Sequence, residues 1–163
     1  MFELKPLAKE AIPMALEKAE RYRLLNEPVE AESICLDILQ VDPENQKASI
    51  VLLLSLTDQF DQGVPVHQAQ QVLIKLSNDY ERKYYTGIVC ERRAKAVLSQ
   101  ERHDAEFIAY DGFREAMSWY EKAEEVRPSG NDDALLRWNT CARIIMERNL
   151  HQKLEERWEP PLE

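Results

Sequence analysis

Apolar and small residues return at steps of three and four along most of this chain, the period of a helix with one covered face. In residues 7–25 they fall at Ala11, Ala15, Ala19, Tyr22 and Leu25, which predicts a first helix. Asn26-Glu27-Pro28 breaks the pattern, and Pro28 suits the first turn of a second helix because its φ is already helical. That helix, to about Leu39, carries Ala31, Cys35, Ile38 and Leu39 on one face and closes on Val41-Asp42-Pro43-Glu44-Asn45. Pro43 cannot continue a helix, and Asn45 can cap a third that begins near Gln46. Residues 48–56 are apolar almost all round, so this third helix is expected to be covered on several sides at the centre of the fold.

Gly63 and Pro65 mark the next break, after which Ala69, Val72, Leu73 and Leu76 define a fourth helix. Asn78 and Asp79 end it or cap the fifth, which runs from Tyr80 to about Leu98. The fifth shows Tyr84, Ile88, Glu91 and Lys95 on one side and Gly87, Cys90, Ala94 and Leu98 on another. Residues 99–110 read as an insertion, with Ala105, Phe107 and Ile108 either leading a helix or packing a loop ahead of Asp111-Gly112. The sixth helix follows with Phe113, Ala116, Met117, Tyr120 and Ala123, until Arg127-Pro128. Ser129-Gly130-Asn131 makes a turn. A seventh helix starts with Asn131 as cap and two carboxylates, Asp132 and Asp133, in its first turn, and extends to about Leu150. Residues 151–163 form an acidic tail in which Trp158 is the natural anchor if the tail docks.

Composition supports one all-helical domain. Only four glycines and a charged fraction of 31% suit helices with solvated faces, and a 44% hydrophobic content gives the chain a core to bury. The formal charge of -9 argues against nucleic acid, whose binding depends on cations displacing counterions from phosphates, and against an anionic membrane surface. The longest apolar run, Ile50 to Leu54, falls far short of the roughly 20 residues that cross a bilayer. The N-terminal Met-Phe-Glu-Leu-Lys-Pro lacks the basic and apolar regions of a signal peptide, so a cytoplasmic location is expected. Cys35, Cys90 and Cys141 fit neither a disulfide framework nor a zinc knuckle and are expected to be packing residues, with a single reactive thiol as the alternative.

Self-comparison exposes a repeat. Ala31, Cys35 and Pro43 recur with the same spacing as Ala116, Tyr120 and Pro128, and residues 26–31 parallel residues 111–116 as a turn leading into a second helix. With Ala19 and Tyr22 in the preceding helix, this pattern resembles the tetratricopeptide repeat, a pair of antiparallel helices of about 34 residues with small residues where the helices touch. Ala15 stands where the family places its first aromatic. The resemblance divides the chain into units of about 12–45, 46–78 and 80–128. The middle unit is degenerate, with Glu81 at the closing position, and the third has Gly87 at the small position and the insertion 99–110. It implies a right-handed superhelical stack of about three hairpins plus a capping helix at 131–150, since one hairpin cannot bury its own apolar face.

In such a stack the first helices of each pair line a concave surface, and the resemblance implies that this surface takes a peptide or an amphipathic helix from a partner protein. Counting from each small position, the side chains of that row are Leu16, Glu20, Arg23, Ile50, Leu54, Asp58, Tyr84, Ile88 and Glu91. Ordinary packing under helix seven or the tail competes for Ile50, Leu54 and Ile88, whereas Arg23 and Tyr84 are better placed for contact. The clamp of Lys and Asn with which some repeats hold a peptide carboxylate is absent, and Glu20 would repel it. The run Glu91-Arg92-Arg93-Ala94-Lys95 is the one concentrated positive spot, suited to an acidic partner or a phosphate, with a solvated helix face as its plainer reading. Arg137 and Trp138 allow either a binding anchor or packing of Trp138 against helices five and six.

No GxSxG, HExxH, Walker loop or dinucleotide turn occurs, and His67, His103 and His151 are scattered without a second ligand at helical spacing. The expectation is therefore a non-enzymatic adaptor with no catalytic residue, cofactor or metal. Self-association through an exposed apolar edge is the second reading, and an enzyme using Cys90 or His103 near the insertion is the third.

Overall fold

The computed structural model describes residues 1–154 and, among them, contains seven α-helices and no strand. They are α1 (Ile12–Leu24), α2 (Pro28–Val41), α3 (Gln46–Thr57), α4 (Val66–Leu73), α5 (Asp79–Leu98), α6 (Ala105–Glu124) and α7 (Asp133–Glu147). Short 3-10 turns at Lys9–Ala11 and Phe60–Gln62 precede α1 and follow α3. The expectation for Trp158 falls outside the described residues.

Local chemistry sets the boundaries. Proline stands in the first turn of both α1 and α2, where its missing N–H has no helical partner to lose. Asn45 Oδ1 accepts the Ala48 N–H at 2.9 Å and Asn78 Oδ1 accepts the Glu81 N–H at 2.9 Å, so two asparagines start α3 and α5. Two others help to stop helices. Asn26, at φ 60°, and Asn149, at φ 51°, turn the chain left-handed after α1 and α7. The N–H groups of Glu27 and Leu150 then reach back to the carbonyls of Tyr22 and Ile145, at 2.9 and 3.0 Å. Asn131 does not cap α7 as a formal N-cap, a position held by Asp132, but its Oδ1 accepts the Asp133 N–H at 3.0 Å.

Each helix packs against the one before and the one after it, and α1 also meets α3, as α3 meets α5. Two cores result. One joins α1 to α4 through Ala19, Cys35, Leu52, Leu53, Leu56, Leu73 and Leu76, with Val89 of α5. The other joins α5 to α7 through Tyr80, Ile88, Phe113, Ala116, Tyr120, Ala134 and Cys141. Tyr85 packs against both. The expectation that α3 is covered on several sides holds, since Ala48, Ser49, Leu52, Leu53 and Leu56 are all buried.

Two sequence expectations need correction. The stretch 99–110 is not an insertion throughout: residues 99–104 are loop, and α6 begins at Ala105 and runs straight through Asp111-Gly112. Gly112 is there for packing rather than turning, because a Cβ on it would lie 3.0 Å from the Ala94 Cβ of α5. Tyr22 and Leu25 do not join the covered face of α1; they are 36% and 63% exposed, in its last turn and just past its end. The expected close approach at Gly87 is present, since a Cβ there would stand 2.5 Å from Cε1 of Tyr120.

Candidate functional site

α1, α3 and α5 contribute the row of side chains that periodicity singles out, and its members have different fates. Leu16 and Ile50 are half-buried against the first core, and Leu54 is half-buried against the second. Ile88 is 2% exposed and so is core rather than contact surface, which corrects its assignment to an open groove. Tyr84 is half-buried, stacked on Tyr80 at 5.7 Å between ring centres and edge-on to Tyr85 at 5.0 Å. Its ring serves an aromatic cluster, which limits its use as a free anchor. Glu20 is exposed.

Arg23, Asp58 and Glu91 are a different matter. Arg23, in the last turn of α1, donates from Nε to Asp58 Oδ2 at 2.6 Å and from Nη2 to Oδ1 at 3.3 Å. Asp58, just past α3, also accepts from Arg92 Nη1 of α5. One half-buried carboxylate thus ties three helices with a guanidinium on either side. A two-point arginine pair of this kind fixes geometry as well as charge.

Glu91 is fully buried, and this corrects both its place in an open groove and the solvated-face reading of residues 91–95. Lys95 donates to Oε1 at 2.6 Å and the Tyr120 hydroxyl of α6 to Oε2 at 2.6 Å. Arg137 of α7 brings Nε to 3.3 Å of Oε2, within ion-pair range but off the direction of a hydrogen bond, and that Nε has no hydrogen-bond partner among the described residues. Burial first, and the adjacent Glu91 carboxylate second, push the Tyr120 hydroxyl well above its ordinary range, so it stays a donor at any neutral pH. Burial works against the Arg137 charge, yet Glu91, Tyr120 and Tyr84 outweigh it and raise its pKa. A buried carboxylate is tolerable here because two cations and a phenol surround it.

Charge consequently alternates across the face from α1 to α7: Arg23, Asp58, Arg92, Glu91, then Lys95 and Arg137. Beside the Arg23 end lies an open cleft of about 310 Å³, bordered by Arg23, Asn26, Asp58, Arg92, Lys95 and Ser99, with Phe60 and Asp61 also on its walls. The sequence pattern puts Arg23 and Asp58 in the row and Lys95 on the side of the fifth helix that carries Ile88 and Glu91, but leaves Arg92 in a run read as a solvated face or a spot for an acidic partner or phosphate, and Arg137 apart. The signal that places Arg92 beside Lys95 is the i, i+3 and i+4 spacing of the two to Ile88 and Glu91, which sets them along the same flank of α5.

The remaining candidates lie elsewhere. Cys35 and Cys141 are fully buried, Cys90 is half-buried, and burial pushes all three thiols up to about 12, so they behave as packing residues. Cys90 borders a separate cleft of about 240 Å³ with Arg93, Ile108 and Glu115, while His103 is exposed in the 99–104 loop. Trp138 is half-buried against the second core and its Nε1–H donates to Glu121 of α6 at 3.0 Å. No helix among the described residues is long and apolar enough to cross a membrane. No family model, no curated protein and no solved structure matches this chain.

Proposed function

We propose that this chain is a non-enzymatic protein-binding module of the tetratricopeptide-repeat type, an adaptor that holds a segment of a partner, a peptide or an amphipathic helix, against the face lined by α1, α3 and α5. The observation that carries the reading is the open cleft of about 310 Å³ where the ends of these three helices meet. Its walls come from three successive hairpins, so a bound segment would touch every unit. Arg23 and Arg92 meet at Asp58 on those walls. The chain of neighbouring helices and the small residues at Ala19, Gly87 and Ala116 support the stacked-hairpin reading, with α7 as the cap of the last pair.

The test uses the full chain as bait beside Ser99→Trp, which plugs the cleft from an exposed position, and Ser118→Trp, which adds the same bulk on exposed α6 surface. A partner retained by the parent and Ser118→Trp but lost by Ser99→Trp supports the reading. Equal recovery by all three refutes it.

Self-association is the second reading, favoured by one observation. An apolar cleft at the outer edge of α1 and α2, lined by Leu7, Ala11, Met14, Ala15 and Ile34, has Met14 68% exposed. Light scattering that finds only monomer at high concentration eliminates it.

A further inference from the structure

The cleft bordered by Arg23, Arg92 and Lys95 holds more N–H donors than its own hydrogen bonds use, with Asp61 as a carboxylate on the same wall. Arg23 commits two N–H groups to Asp58, and Arg92 commits one. Lys95 commits one to Glu91. The rest of both guanidinium forks and of the ammonium group have no partner among the hydrogen bonds of the described residues, and all three side chains retain exposure, at 23%, 25% and 38%. Asn26 and Ser99 add polar groups on the same walls.

Charge counting alone leaves the cleft close to balance. Asp58 is shared between Arg23 and Arg92, and Glu91 between Lys95 and Arg137. Arg137 does not border the cleft, so the cleft's three cations Arg23, Arg92 and Lys95, set against Asp58 and Glu91, leave one over, in a protein whose formal charge is -9. Asp61 on the cleft wall and the negative ends of α1, α3 and α5 cancel this surplus, so it is the directional donors and not net charge that decide the ligand. A long polyanion is disfavoured by the overall negative charge, whereas a single carboxylate within the cleft sits inside the screening distance of its own cations, about 8 Å at physiological salt.

We propose that the cleft recognises an acidic side chain of a partner peptide, whose carboxylate engages Arg92 and Lys95 beside the Arg23–Asp58 pair. This rests on the binding role proposed above and names the chemistry of its ligand. An arriving carboxylate competes with Asp58 for the guanidinium groups, so Asp58 moderates affinity rather than supplying it.

The test is fluorescence anisotropy of the full chain with a short labelled peptide of alternating Glu and Ala, and with its Gln counterpart. The Glu peptide is expected to bind, and the Gln peptide to bind about tenfold more weakly. Arg92→Gln is expected to weaken the Glu peptide by about tenfold, because it removes a donor yet leaves Asp58 its two-point partner Arg23. Arg93→Gln makes the same change in charge one position away, outside the cleft, and should leave affinity within about twofold. Asp58→Asn should tighten binding, a direction that a merely structural role for Asp58 does not produce. Equal effects of Arg92→Gln and Arg93→Gln, weaker binding by Asp58→Asn with helical content intact, or displacement of the peptide by inorganic phosphate at equal concentration would overturn the assignment. If the Glu and Gln peptides bind alike while Ser99→Trp blocks both, the acidic ligand is wrong and the binding role stands.

Discussion

The hairpins α1–α2 and α5–α6 solve the same packing problem with opposite choices of size. In the first, Ala19 and Cys35 meet in the core; at the corresponding positions of the second, Gly87 gives way to the ring of Tyr120. The smaller residue on one helix makes room for the larger one on the other. The exchange does more than conserve volume, because a cysteine ends where it packs, while a tyrosine carries a hydroxyl that reaches Glu91 at 2.6 Å. The first half of the chain is thus held by aliphatic contact, and the second by aromatic rings around a buried carboxylate.

That difference is expected to show most strongly at high pH. Burial pushes the thiols of Cys90 and Cys141 and the hydroxyls of Tyr80 and Tyr85 up to about 12, and it raises Tyr84 and Tyr120 as well, whereas the first core holds Cys35 and a share of Tyr85. A group that holds its proton more tightly when folded contributes its full stabilisation below its unfolded value and loses it as pH rises through the folded value. For Cys90, Cys141, Tyr80 and Tyr85 the window opens near the ordinary values of 9.0 for cysteine and 10.0 for tyrosine and closes near 12, and Tyr84 and Tyr120 are shifted in the same direction. Alkaline titration should therefore loosen α5 to α7 before α1 to α4. Trp119 lies in α6 and Trp138 in α7, so with the third tryptophan removed as Trp158→Phe, tryptophan fluorescence should change at a lower pH than the helical signal of the whole chain. Coincident transitions would remove the distinction between the halves.

Next in size is a truncation of the aliphatic core. Leu53 has no exposed surface at the centre of α3, and Leu53→Ala should cost about 2–5 kcal/mol by removing contacts and leaving a cavity. In the second core, Tyr120→Phe keeps the ring over Gly87 and removes only the bond to Glu91. The expected cost is about 1–3 kcal/mol, that of a hydrogen bond to a buried charge. Denaturant melts of both variants separate the two kinds of core: if Tyr120→Phe is neutral, the Glu91 network positions side chains without stabilising the fold.

How much of this was legible follows from what each pattern records. Helical period located all seven helices and the asparagine cap of α3, because periodicity and capping are properties of neighbouring residues. It also put Arg23, Asp58 and Glu91 in one row. It failed at Asp111-Gly112, which looks like a turn until the packing of Ala94 of α5 is seen, 3.0 Å from where a Cβ on Gly112 would stand. It failed again at Glu91, since nothing local reveals that Tyr120, twenty-nine positions on, and Arg137 of the next helix will enclose it. Burial of a charge depends on partners supplied by other elements, and a single sequence does not say which elements those are.

The smallest effect is also the one where the two halves should agree. Asn45 caps α3 in the first half and Asn78 caps α5 in the second, each accepting a backbone N–H at 2.9 Å. A cap acts within one helical turn and is indifferent to what fills the core beyond it. Asn45→Ala and Asn78→Ala should therefore each cost about 1 kcal/mol, measured as a shift in denaturation midpoint. Asn45 also donates from Nδ2 to Asp42 at 3.1 Å, which places it slightly above Asn78. A cost at Asn78 several times that at Asn45 would mean that the start of α5 is coupled to the aromatic cluster beside it, where Tyr80 bonds Asn131 at 3.3 Å, and that the second half behaves as one cooperative network rather than as helices stacked in turn.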